Sequence, residues 1–204
     1  LSGRVRPVRA RREGAPPLLA FLLAHRLPRA FYRRDCAEVA RDLLGAILVR
    51  REGDGVTAGV IVEDEAYYGA MDPASHAYRG PTRRNRPMFG PAGHAYVYFV
   101  YGNHFMLNAV CGAPGEPAAV LIRALEPAAG FARMRRRRRA RDRDLTNGVG
   151  RRHNGVSLAG DALFISAPYA RRGSIVRAGR IGVEGRSDAA LRFYLKENRY
   201  VSRK

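Results

Sequence analysis

Two short runs with aromatic and β-branched side chains face each other across a three-residue turn. The first is Ala95-Tyr96-Val97-Tyr98-Phe99-Val100, the turn is Tyr101-Gly102-Asn103, and the second run covers 105–110. Such runs bounded by Gly and Asn predict a β-hairpin. A strand shows alternate side chains to opposite faces, so Tyr96, Tyr98 and Val100 share one face and Val97, Phe99 and Tyr101 the other. A hairpin needs further strands before it can bury one of its faces.

The chain supplies them. A short apolar strand is expected at 46–49, a turn at Gly53-Asp54-Gly55, and a second strand at 59–67, which together make another hairpin. Further strands are expected at 119–124, 162–166, 174–183 and 192–195. A helix is expected at 36–44. Asp35 caps it, Glu38 stands three residues on as in a capping box, and Gly45 ends it. Residues 68–93, with Pro73, Pro81, Pro87 and Pro91, form a long loop, a kind of segment that is often functional. The expected fold is α+β: one compact domain with a curved, mainly antiparallel sheet, a protruding hairpin and flanking helices.

Length agrees with one domain, since 204 residues can bury a sizeable core. Residues 1–27 are expected to be a basic, flexible N-terminal arm and 28–204 the folded domain. The chain has 37 Lys and Arg against 18 Asp and Glu, a net charge of +19. That excess predicts attraction to polyanions. Lys occurs only at Lys196 and Lys204, so the bias is toward Arg. A high-GC genome and the fit of guanidinium to phosphate account for that equally well. Eight arginines fall between Arg133 and Arg143, either on a solvated helix or on a phosphate-binding surface. Cys36 and Cys111 lie in no metal-ligand pattern and cannot staple a domain of this size, so the chain reads as intracellular and reduced. The apolar run at 17–24 is too short to span a membrane.

Glu63, Asp64 and Glu65 end the strand at 59–67. In a strand Glu63, Glu65 and Tyr67 share a face and Asp64 takes the other. Acids are depleted in strands, so the run marks either a solvated edge or a carboxylate that activates water or binds metal. His76 in the following loop is either merely exposed or part of a site. Tyr101, at the hairpin tip, either caps the edge of the core or protrudes as a wedge for a base stack.

Several segments together resemble the alkyladenine (3-methyladenine) DNA glycosylase family in order and spacing. They are Ala40-Arg41-Asp42-Leu43-Leu44-Gly45, Val62-Glu63-Asp64-Glu65-Ala66-Tyr67, Arg84-Asn85-Arg86-Pro87-Met88-Phe89, Tyr96 through Gly102, Leu107-Asn108, and Leu121 through Pro127. The likeness weakens after 127 and returns in Arg180-Ile181-Gly182-Val183 and Arg192-Phe193-Tyr194-Leu195-Lys196.

The resemblance implies a monofunctional enzyme that flips alkylated purines out of duplex DNA and hydrolyses the N-glycosidic bond. It implies Glu65 as general base with Arg123 beside it, and Tyr67, His76, Tyr98 and Asn108 as the base pocket. It also implies Tyr101 and Met88 as intercalating residues. Arg84, Arg86, Asn147 and Gly148 would meet the DNA backbone. No metal or cofactor is implied, and no Lys or N-terminal amine is placed for strand cleavage. The expected partner is damaged double-stranded DNA, with no membrane, a monomeric state and a cytoplasmic location, nucleoid-associated if the source is bacterial. One departure from the family pattern stands out: Val149 replaces a Pro and Arg151 or Arg152 a Lys within 147–157. The competing expectation is a noncatalytic basic nucleic-acid-binding module of the same fold, since a fold does not fix a function.

Overall fold

The computed structural model describes residues 15–53, 55–102, 104–113, 115–139, 148–170, 173–183, 185, 187 and 189–202. β1 (Ile47–Glu52) and β2 (Gly55–Tyr67) make the first hairpin, with Ile47 opposite Val60. β3 (Ala95–Val100) and β4 (His104–Cys111) make the second, with Val100 opposite His104. β5 (Ala118–Ala129) lies between the two and pairs with both β4 and β2. β6 (Leu163–Ser166) adds to β1. On one side β2 holds β1 with residues 55–60 and β8 (Arg192–Leu195) with residues 63–65, and β7 (Ile175–Ala178) pairs with β8. The result is a curled antiparallel sheet whose main path runs β3-β4-β5-β2-β1-β6. Among the described residues four helices flank it: α1 (Ala15–Ala24), α2 (Arg29–Tyr32), α3 (Cys36–Leu43) and α4 (Phe131–Arg139). The α+β class is as expected.

The main core lies between α3 and one face of the sheet. Cys36, Val39, Ala40 and Leu43, at helical spacing, are buried against Val62 and Ala66 of β2 and Ala109, Val120 and Ile122 of the neighbouring strands. The Asp35 carboxylate accepts from the N–H groups of Ala37 and Glu38 at 2.9 and 3.2 Å, and Gly45 leaves the helix at φ +84°.

Part of the expected N-terminal arm is helical. Leu22 of α1 is buried with Ile47, Val49, Ala58 and Phe164 on the sheet face opposite the main core. Its apolar run covers that face, which outweighs the Pro and Arg content that reads as an arm. Residues 1–14 lie outside the described residues. The strand expected at 174–183 stops at Ala178, and β5 runs five residues past the expected end at 124. Within the arginine run, α4 covers Phe131–Arg139, and 140–147 lie outside the described residues.

Both ends of the main sheet path are covered. Along β3, Gly155 N–H donates to Ala95 O at 2.7 Å and Ala95 N–H to Val156 O at 2.8 Å. The Asn154 side chain accepts from Val97 N–H at 2.8 Å. Along β6, Leu27 N–H donates to Ile165 O, Ala167 N–H to His25 O, and Ile165 N–H to Leu158 O. Among the described residues no helix is long and apolar enough to cross a membrane.

Candidate active site

Cross-strand pairing sets one row of side chains on the face away from the main core. Tyr96 stands opposite Asn108, Asn108 opposite Leu121, and Leu121 opposite Glu65. Directly paired residues point to the same face, so β3, β4, β5 and β2 each contribute to one surface. Arg123 reaches it through a bulge. Glu63 pairs with Ala124 and Asp64 with Ile122, which leaves Arg123 as the extra residue on β5. A bulge re-aims its side chain, and here the guanidinium meets two acids. Its Nη1 lies 3.3 Å from Glu65 Oε2 and its Nε 3.5 Å from Glu63 Oε1.

The three consecutive acids are all fully buried, in a central strand and not at a solvated edge. Their surroundings divide them. Glu65 receives the Tyr67 hydroxyl at 2.7 Å and Arg123 on Oε2, and the Ile181 N–H at 2.8 Å on Oε1. Three converging donors suit an ionised carboxylate, which only accepts. Glu63 is held by Arg192 at 2.8 Å and by the N–H and hydroxyl of Ser202 at 2.7 and 2.9 Å, so it anchors Arg123. Asp64 faces the other way, and neither of its oxygens has a hydrogen-bond partner among the described residues. Burial first, then the neighbouring Cys36, Glu65 and Glu63, hold its carboxyl well above the usual range.

A cavity of about 430 Å³ opens on this face. Tyr67, Arg123 and Ile181, the three residues that bond Glu65, all line it, together with His76, Tyr98 and Asn108. His76 Nδ1 is 2.9 Å from the Tyr96 hydroxyl, and its ring meets Tyr98 edge-on at 4.7 Å. The Asn108 side chain donates to Tyr96 O at 3.0 Å. Burial pushes the Tyr98 hydroxyl up to about 12 and, with the charge of Glu65, raises that of Tyr67 further, so both stay neutral donors at physiological pH. Arg84 places its guanidinium 5.1 Å from the Tyr98 ring centre and donates to Phe99 O at 3.3 Å. Arg86 is exposed at the start of a 3-10 turn, Arg86–Phe89. Tyr101 is 85% exposed at the hairpin tip with φ +53°, so it does not cap a core edge.

Residues 30–199 match the family model of methylpurine-DNA glycosylase. The chain belongs to the methylpurine-DNA glycosylase family. A Methanoculleus marisnigri protein named "Putative 3-methyladenine DNA glycosylase" is 48% identical over 192 residues, which span 87% of this chain and 99% of that protein. Proteins of the same name from Carboxydothermus hydrogenoformans and Anaeromyxobacter are 46% and 48% identical, covering 87% of this chain and 99% and 93% of their own lengths.

Of the residues that the resemblance assigns to the site, Arg123, Tyr67, His76, Tyr98 and Asn108 line the cavity, while Glu65 lies behind that lining, fully buried and bonded to Tyr67 and Arg123. Met88 does not join Tyr101 at the surface. It is 2% exposed, packed with Ala77, Tyr96, Val110 and Ala119, and forms part of the cavity wall. Its thioether is apolar and the 3-10 turn points it inward, so intercalation would require unpacking the turn. Gly148 is buried under Arg50 and Arg137, which leaves it little surface to offer a phosphate. Asn147 lies outside the described residues. Val149 is buried in the main core, so the departure at that position fills space.

Three residues of this glycosylase-family site escape sequence reasoning. Asn85 is buried and staples the long loop, donating to His76 O at 2.7 Å and Gly80 O at 2.9 Å while accepting from Thr82 N–H. Arg180 and Asp72 form a buried ion pair behind Tyr67. Asn85 stands inside a quoted motif, and Arg180 opens the Arg-Ile-Gly-Val segment. Asp72 carries no local signal.

Proposed function

We propose that the chain is a hydrolase of the DNA-3-methyladenine glycosylase type, which releases alkylated purines from duplex DNA. One observation carries this assignment: a buried carboxylate, Glu65, bonded to three residues, Tyr67, Arg123 and Ile181, that themselves line an aromatic-walled cavity. The cavity falls within the roughly 300–1,000 Å³ usual for small-molecule sites, enough for one purine. A base must leave the helical stack to enter it.

The chemistry follows from the groups present. Cleavage of the bond between sugar C1′ and the base leaves the bonding electrons on the base and positive charge on the sugar. A cationic alkylpurine takes those electrons and departs neutral. Water adds to C1′ and gives its proton to Glu65, while the carboxylate charge stabilises the sugar cation. Tyr67, His76 and Tyr98 would stack on the extruded base, and a cationic base gains about 0.5–2 kcal/mol from such rings. Tyr101 would fill the vacated place in the stack. No Lys is among the described residues that line the cavity, so the reading has no Schiff-base step and leaves the DNA strand intact.

The test is base release from methylated, deaminated and etheno-bridged duplexes. Glu65→Gln keeps the side-chain shape and removes the base. Release should fall by about 10²–10⁴-fold with duplex affinity retained. A fully active Gln variant would refute the assignment.

A further inference from the structure

We propose that the buried Arg180–Asp72 ion pair is a positioning device for base excision, acting through Ile181 on Glu65, through the ring on Tyr67, and through Asp72 on the loop that carries His76. This rests on the glycosylase reading above. Neither member lines the cavity. The Arg180 side chain is fully buried, with Nη1 2.5 Å and Nη2 2.8 Å from the two Asp72 oxygens. Nη1 also donates to Ala66 O at 2.9 Å, and the guanidinium stands 4.5 Å from the centre of the Tyr67 ring. The guanidinium therefore braces the ring whose hydroxyl bonds Glu65 at 2.7 Å. The next residue, Ile181, places its N–H on the second Glu65 oxygen. Asp72 also accepts from the N–H groups of Tyr68 and Ala74, both at 3.1 Å, fixing the turn that leads to His76.

One pair thus ties residues 65–68, 72–76 and 180–181 together. No helix or strand aims Ile181, since β7 ends at Ala178 and β8 begins at Arg192. Its direction depends on side-chain anchors: Arg180, and Arg192 whose Nε donates to Gly179 O at 3.0 Å. Stability is a poor reason for the pair. Buried ion pairs are often no better than apolar replacements, and Arg180 Nε is buried with no partner among the described residues. A flat guanidinium can hold two oxygens, a carbonyl and a ring at once, whereas an ammonium cannot.

The test compares the full chain with the R180M/D72N double variant, which removes both charges together, and with R180K. Three quantities are read: hydrogen exchange of the Ile181 amide, single-turnover base release from methylated duplex at saturating enzyme, and affinity for undamaged duplex. In the double variant Ile181 exchange should be about 10-fold faster or more, with that of Ile122 in β5 unchanged. Release should slow about 10- to 100-fold, with affinity kept within about two-fold. R180K should fall between, and it serves alone if the double variant does not fold. A folded variant with wild-type Ile181 exchange and wild-type release overturns the proposal. So does a loss of release matched by an equal loss of affinity. Exchange needs no turnover, so a wild-type chain that releases no base refutes the glycosylase reading while the exchange result still judges the anchor on Glu65.

Discussion

At the scale of single residues, Asp64 makes a testable demand on pH. In an unfolded chain an Asp gives up its proton near pH ~3.9, whereas burial in the folded protein delays that loss to well above the usual range. Between those pH values the folded state holds a proton that the unfolded chain has released, so stability falls as pH rises through the window. Asp64→Val lacks that slope. Thermal melts at pH 4 and pH 8 should show the variant gaining on wild type toward the higher pH, by about 1 kcal/mol or more, roughly 2–4 °C in a domain of this size. Equal shifts at both pH values would contradict a neutral buried acid. The residues flanking Asp64 mark how far sequence reaches. Strand alternation separates Asp64 from Glu63 and Glu65, and the structure keeps that separation. Alternation cannot tell Glu63 from Glu65. Their difference comes from Tyr67 and Ile181 on Glu65 and from Arg192 and Ser202 on Glu63, the last two 129 and 139 residues away in the chain. The Arg180–Asp72 pair, 108 residues apart, is hidden for the same reason.

At the scale of elements, the proposed function asks the tip of the β3–β4 hairpin to serve binding and not folding. Tyr101 holds a left-handed φ that suits Gly better than an aromatic, and it is mostly exposed. Tyr101→Gly should leave the melting temperature unchanged or raise it. The same change should weaken binding to lesion-bearing duplex by about 10-fold, the share of one stacking ring. Both are read by thermal melts and titration of labelled duplex. A variant that binds lesion duplex as wild type does would remove Tyr101 from the interface. Helix α1 carries the opposite expectation. Leu22→Ala empties part of the cluster with Ile47, Val49 and Phe164 and should cost about 2–4 kcal/mol in denaturant unfolding. Strands with period-two patterning were legible because one face is buried. The α1 helix was not, since its apolar residues fill most of its circumference and give no polar face to mark a period. The extension of β5 to Ala129 passes through irregular pairing at Gly59, which no residue pattern announces.

At the scale of the whole molecule, charge sets how DNA binding responds to salt. Some of the arginine excess is spent internally: Glu52 alone gathers Arg50, Arg137 and Arg152 at 2.7–2.9 Å. The charge of +19 therefore overstates the number of phosphates met at once. If four are neutralised, duplex affinity should drop on the order of 100-fold between 50 and 200 mM salt. The log–log slope, measured by fluorescence anisotropy, counts them, and a flat slope would rule out a phosphate-led encounter. An open sheet has rims, and rims recruit foreign strands. Here residues 154–156 seal one border and 25–27 with 158 seal the other, leaving, among the described residues, the four-residue β7 with its charged Arg177. The molecule thus offers its kin almost no ready ladder to climb, and crowding on a polyanion need not seed fibrils.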